Sequence, residues 1–575
     1  MTRGAETKEQ TARRFVGRAM LVMAFFVLAA SSLLARAVQL QVLNKDFLNQ
    51  QADSRHLRTE KISAHRGSIT DRNGEPLAIS TPVDSVWANP KELASAVDRV
   101  PELAKTLKLD SQLLMRRITQ SMDKEFLYLK RHLSPEQAQQ VMALKLPGVN
   151  VLREYRRYYP SGEVAGHLVG FTSVDDDGQE GLELEFNHWL SGESGAKRVL
   201  KDRLGRAVEN VESIRPPHHG RDLKSSIDLR LQYLAYRALK SAIQRHRAES
   251  GSIVLLDVQT GEVLAMVNQP SYNPNDRAQY SAERYRNRAI TDIFEPGSSI
   301  KPLVLAAALE SGRYRPGSTV DTAPGFVVVG PKKIEDTSNL GRVSLTTVLS
   351  RSSNVGVTKV AMSLEPDQLW STMTQFGLGS LTASGFPGES AGLLTHYNHW
   401  QEISQATLAY GYGISVTPLQ MAQAYAALGS DGILRPVSLI ALDEPNEGER
   451  ILSSETSRAI RRMMEEVVRP GGTGTKAGII GYRVAGKTGT AWKFAAGGYS
   501  HDKYLSIFAG LAPASNPRLA AVVVIDEPTG DLYYGSDVAA PVFAEVIAES
   551  LRLLAVPPDA LPAQRSDTLM QAMSQ

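Results

Sequence analysis

Apolar and polar positions change rhythm several times along the chain, and each change marks an element. The longest uncharged apolar run is AMLVMAFFVLAASSLLA, Ala19 to Ala35. At about 17 residues it is just long enough to span a bilayer as a helix. Arg36 interrupts it before the weakly apolar AVQLQV, and an arginine at that point can snorkel to the interface. From Arg66 to Ser80, RGSITDRNGEPLAIS reads as two short strands joined at Asn73-Gly74, a pair suited to a tight turn. Helical spacing begins near Ser226, with Ile227, Leu231, Leu234 and Ala238 on one face. SIVLLDV and EVLAMVN then flank Gln259-Thr260-Gly261 as an antiparallel hairpin. A second helical pattern follows Pro296-Gly297 and stops at Ser311-Gly312. Residues 478–492 read as a loop entering a strand that contains Gly489, where another backbone could come close. KYLSIFAGL and LAAVVVIDE are late strands, and a last helix is expected from about Pro541 to Leu554. Strands and helices segregated in this way predict an α+β fold, an antiparallel sheet between helices. After Pro557-Pro558 the chain is polar and expected to be disordered to Gln575. No internal repeat is evident.

Charge places this pattern in a compartment. Arg3, Lys8, Arg13, Arg14 and Arg18 outnumber Glu6 and Glu9 ahead of the apolar run, so the N-terminus is expected inside and the remainder outside. Ala35-Arg36-Ala37 also has the small-x-small form of a signal-peptide cleavage site. The apolar run exceeds the ~7 to 15 residues of a signal core, which favours an uncleaved anchor. Over all 575 residues, 64 basic and 61 acidic side chains leave a formal +3, too small and dispersed for a nucleic-acid surface. Cysteine is absent, which excludes disulfides, thiolate nucleophiles and cysteine-ligated zinc.

Candidate chemistry starts with GYRVAGKTGT, Gly481 to Thr490. It satisfies the Gly-x-x-x-x-Gly-Lys-Thr pattern of a phosphate loop, but such a loop must open directly into a helix, and here Gly-Thr-Ala and then Gly497-Gly498 follow the lysine. An exported domain also meets little nucleotide. The other reading, Lys-Thr-Gly, is an element of serine acyl-transfer sites. Upstream, IFEPGSSIKPLVLAAALESG puts Ser298 and Lys301 three residues apart on one helical face, within mutual reach. Free N–H groups of a first helical turn favour an alkoxide and lower the pKa of a nearby amine, so a neutral Lys301 could serve as general base. Alone, Ser-x-x-Lys is better explained by an N-cap serine with a solvated lysine one turn on. It is followed in order by Ser352-x-Asn354 in RSSNVG and by Lys487-Thr488-Gly489.

That triplet resembles the penicillin-recognising serine acyltransferases. EPGSSIKP, SRSSNVG, AYGYGISVTPLQMAQAYAALG, AGKTGTA, FAGLAPA and YYGSDVAAPVF, together with RGSITDRNGEPLAIS, YYPSGEVAGHLVGFT and GQEGLELEFN in the N-terminal half, resemble class B penicillin-binding proteins of the division type. The resemblance implies a cytoplasmic tail at 1–18, a transmembrane anchor at 19–40, an elongated α/β pedestal at 41–222, a transpeptidase domain at 223–555 and a disordered tail at 556–575. It implies that Ser298 attacks a stem peptide ending in D-Ala-D-Ala, that Lys301 takes the proton, that Ser352 relays it to the leaving amine, and that Asn354 donates to the substrate amide. Thr488, Gly489 and Thr490 would bind the substrate, with Lys487 adding positive charge for its carboxylate, and the N–H groups of Ser298 and Thr490 would form the oxyanion hole. Strand alternation sends Lys487 to the face opposite Thr488, so its role requires a twist or an edge position. Tyr410 and Tyr412 match aromatic cleft positions, and buried core tyrosines explain them equally well.

No cofactor or metal is implied. The implied partners are β-lactam antibiotics, the inner membrane, a polytopic lipid II glycan polymerase and other division proteins, with the catalytic domain in the periplasm. An acceptor amine makes a cross-link, whereas water would make a carboxypeptidase or β-lactamase; no glutamate sits as in a class A deacylating motif. Gly535-Ser536 stands where relatives commonly carry two glycines, and Trp492 where a smaller or basic residue is usual. An elongation-type or condition-specific paralogue, or a non-catalytic β-lactam sensor or division scaffold, fits the same motifs.

Overall fold

A computed structural model describes residues 3–43, 57–62, 64–201, 207–495 and 498–560. Helix α1 (Arg3–Val38) is continuous. Its segment Val16–Gln41 is long and apolar enough to cross a membrane, with no part buried. Phe25, Phe26 and Leu28 are exposed on it, as suits a helix whose surroundings are lipid.

The chain forms two compact units whose members alternate along the sequence. One comprises Met1–Ala64, Val83–Glu154 and Glu193–His219, the other His65–Pro82, Tyr155–Gly192 and Gly220–Gln575. In the first, Leu57–Ile62, Gly195–Lys201 and Ala207–Arg215 make a three-stranded antiparallel sheet in that order. Helices Val100–Leu107, Ser111–Thr119 and Pro135–Ala143 enclose a small core that includes Val86, Leu103, Leu114, Ile118 and Val141. Asp110 and Ser134 cap the second and third of these helices, each accepting from a first-turn N–H.

In the second unit the Asn73-Gly74 turn joins Ile69–Thr70 to the antiparallel strand that starts at Pro76. Gly74 takes the positive φ, 92°. The organiser is Asp71, whose carboxylate accepts from the N–H groups of Asn73 (2.7 Å), Glu75 (2.8 Å) and Leu229 (3.1 Å). That last bond ties the turn to α2 (Leu229–His246), itself capped by Asp228. The hairpin β1 (Ser250–Asp257) and β2 (Val263–Gln269) follows, antiparallel as its alternation predicts. Then come α3 (Lys301–Glu310), α4 (Asn354–Met362), α5 (Pro418–Gly429), α6 (Ser454–Val468), the strands β3 (Ala485–Ala495), β4 (Gly498–Ala512) and β5 (Leu519–Asp526), and α7 (Ala539–Leu553).

The five strands form one sheet in the order β2-β1-β5-β4-β3, antiparallel throughout. Every position of β1 is buried, because both faces are covered. Ile253 and Leu255 point to a core shared with α2 and α7, while Val254 and Leu256 point to the larger core that contains α3, α4 and α5. The fold is the α+β arrangement the pattern predicts. The larger core also takes Ile69, Leu77, Tyr159, Leu168, Leu182 and Leu190 from the N-terminal half of the chain. Val556 to Ala560 continue in order, held by Tyr482 Oη on Val556 O and by the Ala560 N–H on Gly481 O. The remainder of the expected disordered tail, from residue 561, lies outside the described residues.

Candidate active site

Three segments meet at one end of β3. The first is Gly297–Ile300, a 3-10 turn that runs straight into α3. The sequence predicts Ser298 within the helix; it lies one turn earlier, where the Lys301 N–H donates to Ser298 O. In a 3-10 turn positions i and i+3 eclipse, which aligns the two side chains more tightly than an α-helix would. Gly297 takes φ 53° and packs so closely that a Cβ would lie 3.2 Å from Thr490 O. Ser298 is half-buried and faces a cavity of about 620 Å³ lined also by Ser352, Asn354, Thr473, Thr488 and Thr490.

Helix α3 is buried on every side from Lys301 to Ala308, so it is a core helix with a lysine at its head. Lys301 is fully buried. Its Nζ donates to Ser352 O (2.7 Å) and Asn354 Oδ1 (2.7 Å) and lies 3.2 Å from Ser352 Oγ. Two short bonds use both N–H groups of a neutral amine and leave its lone pair for a hydroxyl proton. None of these bonds goes to Ser298 Oγ among the described residues; catalytic hydrogen bonds commonly close only once substrate is engaged.

The second segment is the start of α4. Ser352 adopts φ 59°, a left-handed conformation uncommon for a residue with a side chain. In that conformation its carbonyl and hydroxyl both reach Lys301. Ser353 caps α4 by accepting from the Gly356 N–H at 2.8 Å. Asp336 braces the turn, accepting from Ser353 Oγ and from the N–H groups of Asn354 (2.6 Å) and Val355 (3.0 Å). Sequence reasoning missed Asp336, and no local signal could have found it, since its contacts span 17 to 19 residues. Asn354 keeps Oδ1 on Lys301 and turns Nδ2 toward Glu335 O at 3.4 Å.

The third segment is β3, the outer strand of the sheet. Thr488 and Thr490 on this edge strand line the cavity, whereas Lys487 does not. The side chain is fully buried, and Nζ reaches back to Thr488 O (3.0 Å) and Thr488 Oγ1 (3.2 Å). Thr488 Oγ1 also contacts Thr473 Oγ1 at 3.1 Å, and Thr490 Oγ1 accepts from the Gly535 N–H at 3.0 Å. At Gly489 it is the turn leading into Ser298 that comes close: a Cβ there would lie 2.9 Å from Pro296 O. Gly535 is tightly constrained, with Gly489 O 2.3 Å from its would-be Cβ, while Ser536 lines the cavity. The departure from a glycine pair therefore falls on the cavity wall.

Burial drives the Lys301 amine well below its ordinary pKa; the Lys487 charge lowers it further, and Asp336 opposes both. Burial alone brings Lys487 down to about 7. The site thus holds one amine that is readily neutral and another that titrates near neutrality. Such a constellation can abstract a hydroxyl proton and still present positive charge to an anion.

Tyr410 and Tyr412 lie outside the walls of this cavity. Tyr410 is buried, its ring 5.6 Å from that of Tyr412, which in turn meets Tyr499 at 5.3 Å. Tyr412 Oη accepts from the Trp492 N–H at 3.2 Å, and the Trp492 side chain is exposed.

Comparison with known proteins agrees along the whole chain. Residues 251–548 match the penicillin-binding protein transpeptidase domain, and residues 61–225 the penicillin-binding protein dimerisation domain. The peptidoglycan D,D-transpeptidase FtsI of Escherichia coli is 45% identical over 565 residues, 97% of this chain and 96% of its own. The apo transpeptidase domain of Burkholderia pseudomallei penicillin-binding protein 3 is 42% identical with a TM-score of 0.55, covering 59% of this chain and 98% of that one. Penicillin-binding protein 3 of Mycobacterium tuberculosis, complexed with aztreonam, is 27% identical with a TM-score of 0.68, covering 87% and 98%.

Proposed function

The chain belongs to the penicillin-binding protein family of peptidoglycan D,D-transpeptidases, and on that premise we propose that it cross-links stem peptides through an acyl-enzyme on Ser298. Ser298 Oγ attacks the carbonyl of the penultimate D-alanine as its proton passes to the neutral Lys301 amine. The oxyanion is held by the N–H groups of Ser298 and Thr490, donors worth about 3 to 4 kcal/mol each in comparable sites. The C–N bond breaks, and the departing D-alanine amine takes a proton relayed from Lys301 through Ser352. An amine from a second stem then attacks the ester, restoring Ser298 and forming the cross-link. Asn354 orients Lys301 and the substrate amide, while Thr488, Gly489, Thr490 and Lys487 receive the terminal carboxylate. Tyr410 and Tyr412 serve as packing behind the cleft.

The observation that carries this reading is Lys301: a fully buried amine, biased to its neutral form, clamped by Ser352 and Asn354 behind the cavity wall that Ser298 helps form. β-Lactams would acylate the same serine and stop there. The basic residues in the first half of α1, ahead of its apolar run, support a cytoplasmic tail at 1–18 and a periplasmic catalytic unit. The resemblance to division-type transpeptidases motivates a septal role, with a lipid-linked glycan polymerase and other division proteins as the partners we propose.

Fluorescent-penicillin labelling and a cross-linking assay with wild type and Ser298→Ala test the chemistry. Labelling and muropeptide dimers are expected from the wild type alone. Equal dimers from both would refute the nucleophile. Imaging of the tagged protein at midcell, rather than along the sidewall, tests the septal role.

A further inference from the structure

A second concavity of the catalytic unit shares no lining residue with the acylation cleft. It encloses about 730 Å³, and its walls carry Arg435, Arg450, Arg458, Arg461, Arg462 and Arg483 but only two carboxylates, Asp431 and Glu465. Both acids are engaged. Asp431 is shared by Arg458 (2.5 Å) and Arg461 (2.8 Å), and Glu465 holds Arg483 at 2.8 Å. Asp559, just outside, is occupied by the Arg483 N–H and by Ser515.

Three guanidiniums therefore have no acidic partner among the described residues. Arg450 donates to Asp431 O (2.9 Å), Leu452 O (3.2 Å) and Ser454 Oγ (3.2 Å), all uncharged. Nε and Nη1 of Arg435 are buried without an acceptor among the described residues. Arg462 stands free on α6, on the face it shares with Arg458 and Arg461. A chain of formal charge +3 thus places an excess of four positive charges in one concavity. Arg450 and Arg462 are exposed and Arg435 is half-buried, and like charges gathered in one concavity repel one another, so packing alone gives no reason for the cluster.

We infer that this cavity is a binding site for a diphosphate-bearing ligand. Guanidinium forks match the paired oxygens of phosphate, which a lone ammonium does not. A solvent-open recess of this volume has room for a compact polar ligand. Arginines arrive from four chain segments, around 435, around 450, along α6 and at Arg483, so positive charge surrounds the ligand from several sides and suits two linked phosphates better than one. The diphosphate could belong to a soluble molecule or to a lipid headgroup, which share this chemistry.

Calorimetry on the full-length protein in nanodiscs tests the site with inorganic pyrophosphate and, separately, with a short-chain lipid pyrophosphate. The double variant Arg435→Gln/Arg462→Gln removes two unpaired guanidiniums without stranding a carboxylate. Arg552→Gln, an exposed arginine on α7, is the surface control. We expect pyrophosphate to bind the wild type and the control alike and the double variant at least about tenfold more weakly, with unchanged melting temperature and penicillin labelling. Tight binding of the inorganic probe assigns a soluble source, and preference for the lipid form, competed by the inorganic one, assigns a headgroup. Absence of binding by both probes, or equal binding to wild type and double variant, overturns the site. Retained penicillin labelling separates that failure from any failure of the acyl-transfer reading.

Discussion

Lys487 shows at the scale of one residue how the site opposes the fold. Lowering a lysine from 10.5 to about 7 corresponds to about 5 kcal/mol of lost preference for the charged form. Below about 7 the native state holds the ammonium under that strain; between about 7 and 10.5 the unfolded chain binds the extra proton. Stability should therefore rise with pH across that window. Lys487→Met is expected to be more stable than wild type at pH 7 by roughly 2 kcal/mol, with the gap closing toward pH 10, as urea unfolding would register. Its acylation should fall about a hundredfold. In the wild type the ammonium is lost above about 7, so KM for a carboxylate-ended peptide should climb there. A KM flat through that range would remove Lys487 from carboxylate binding. Asp336 acts on the other lysine. Its charge supports the Lys301 ammonium, so Asp336→Asn should shift the acid limb of the acylation profile to lower pH while weakening the α4 cap by about 1 kcal/mol. An unmoved limb would leave Asp336 a purely structural cap.

At the scale of elements, the close contact between β3 and the serine turn rests on glycines. A methyl at Gly489 would lie 2.9 Å from Pro296 O and 3.2 Å from Ile507 Cβ, both on rigid backbone or core. Gly489→Ala should lower stability by about 1 to 3 kcal/mol and slow acylation about a hundredfold by displacing Ser298 from Thr490; stopped-flow acylation with a chromogenic β-lactam reads this directly, and an unaltered rate would show that the strand and turn need no such contact. Element types were largely legible in the chain. The β1–β2 hairpin and the final helix follow from period and turn residues, because those signals are local. The position of Ser298 in a 3-10 turn was not, since the positive φ of Gly297 is set by its seat between Gly411 and Thr490.

At the scale of the molecule, the catalytic unit is assembled from distant parts of the chain. Glu183 is fully buried and receives Arg66 at 2.7 Å and Arg157 at 2.5 Å, with Arg66 also on Asn187 Oδ1 at 2.8 Å. These residues come from His65–Pro82 and Tyr155–Gly192, both within the same compact unit as the sheet. Glu183→Gln leaves two guanidiniums without their counter-charge and should destabilise that unit by about 3 to 5 kcal/mol, seen as an earlier thermal transition while penicillin labelling at low temperature persists. A transition at the wild-type temperature would show that the N-terminal segments are not integral to the unit.

By itself the sequence determined the membrane-length helix, the α+β pattern and the serine, lysine and asparagine of the three motifs. Hydrophobic period, turn chemistry and motif order are all written within a few neighbouring residues. Only the tertiary structure decided which side chains face one another: that Lys301 spends its bonds on Ser352 and Asn354, that Lys487 curls round an edge strand, that Asp336 braces α4, and that six arginines ring one cavity. Those facts depend on burial and on approaches between segments far apart in the chain, where desolvation and excluded volume act and local pattern carries no information.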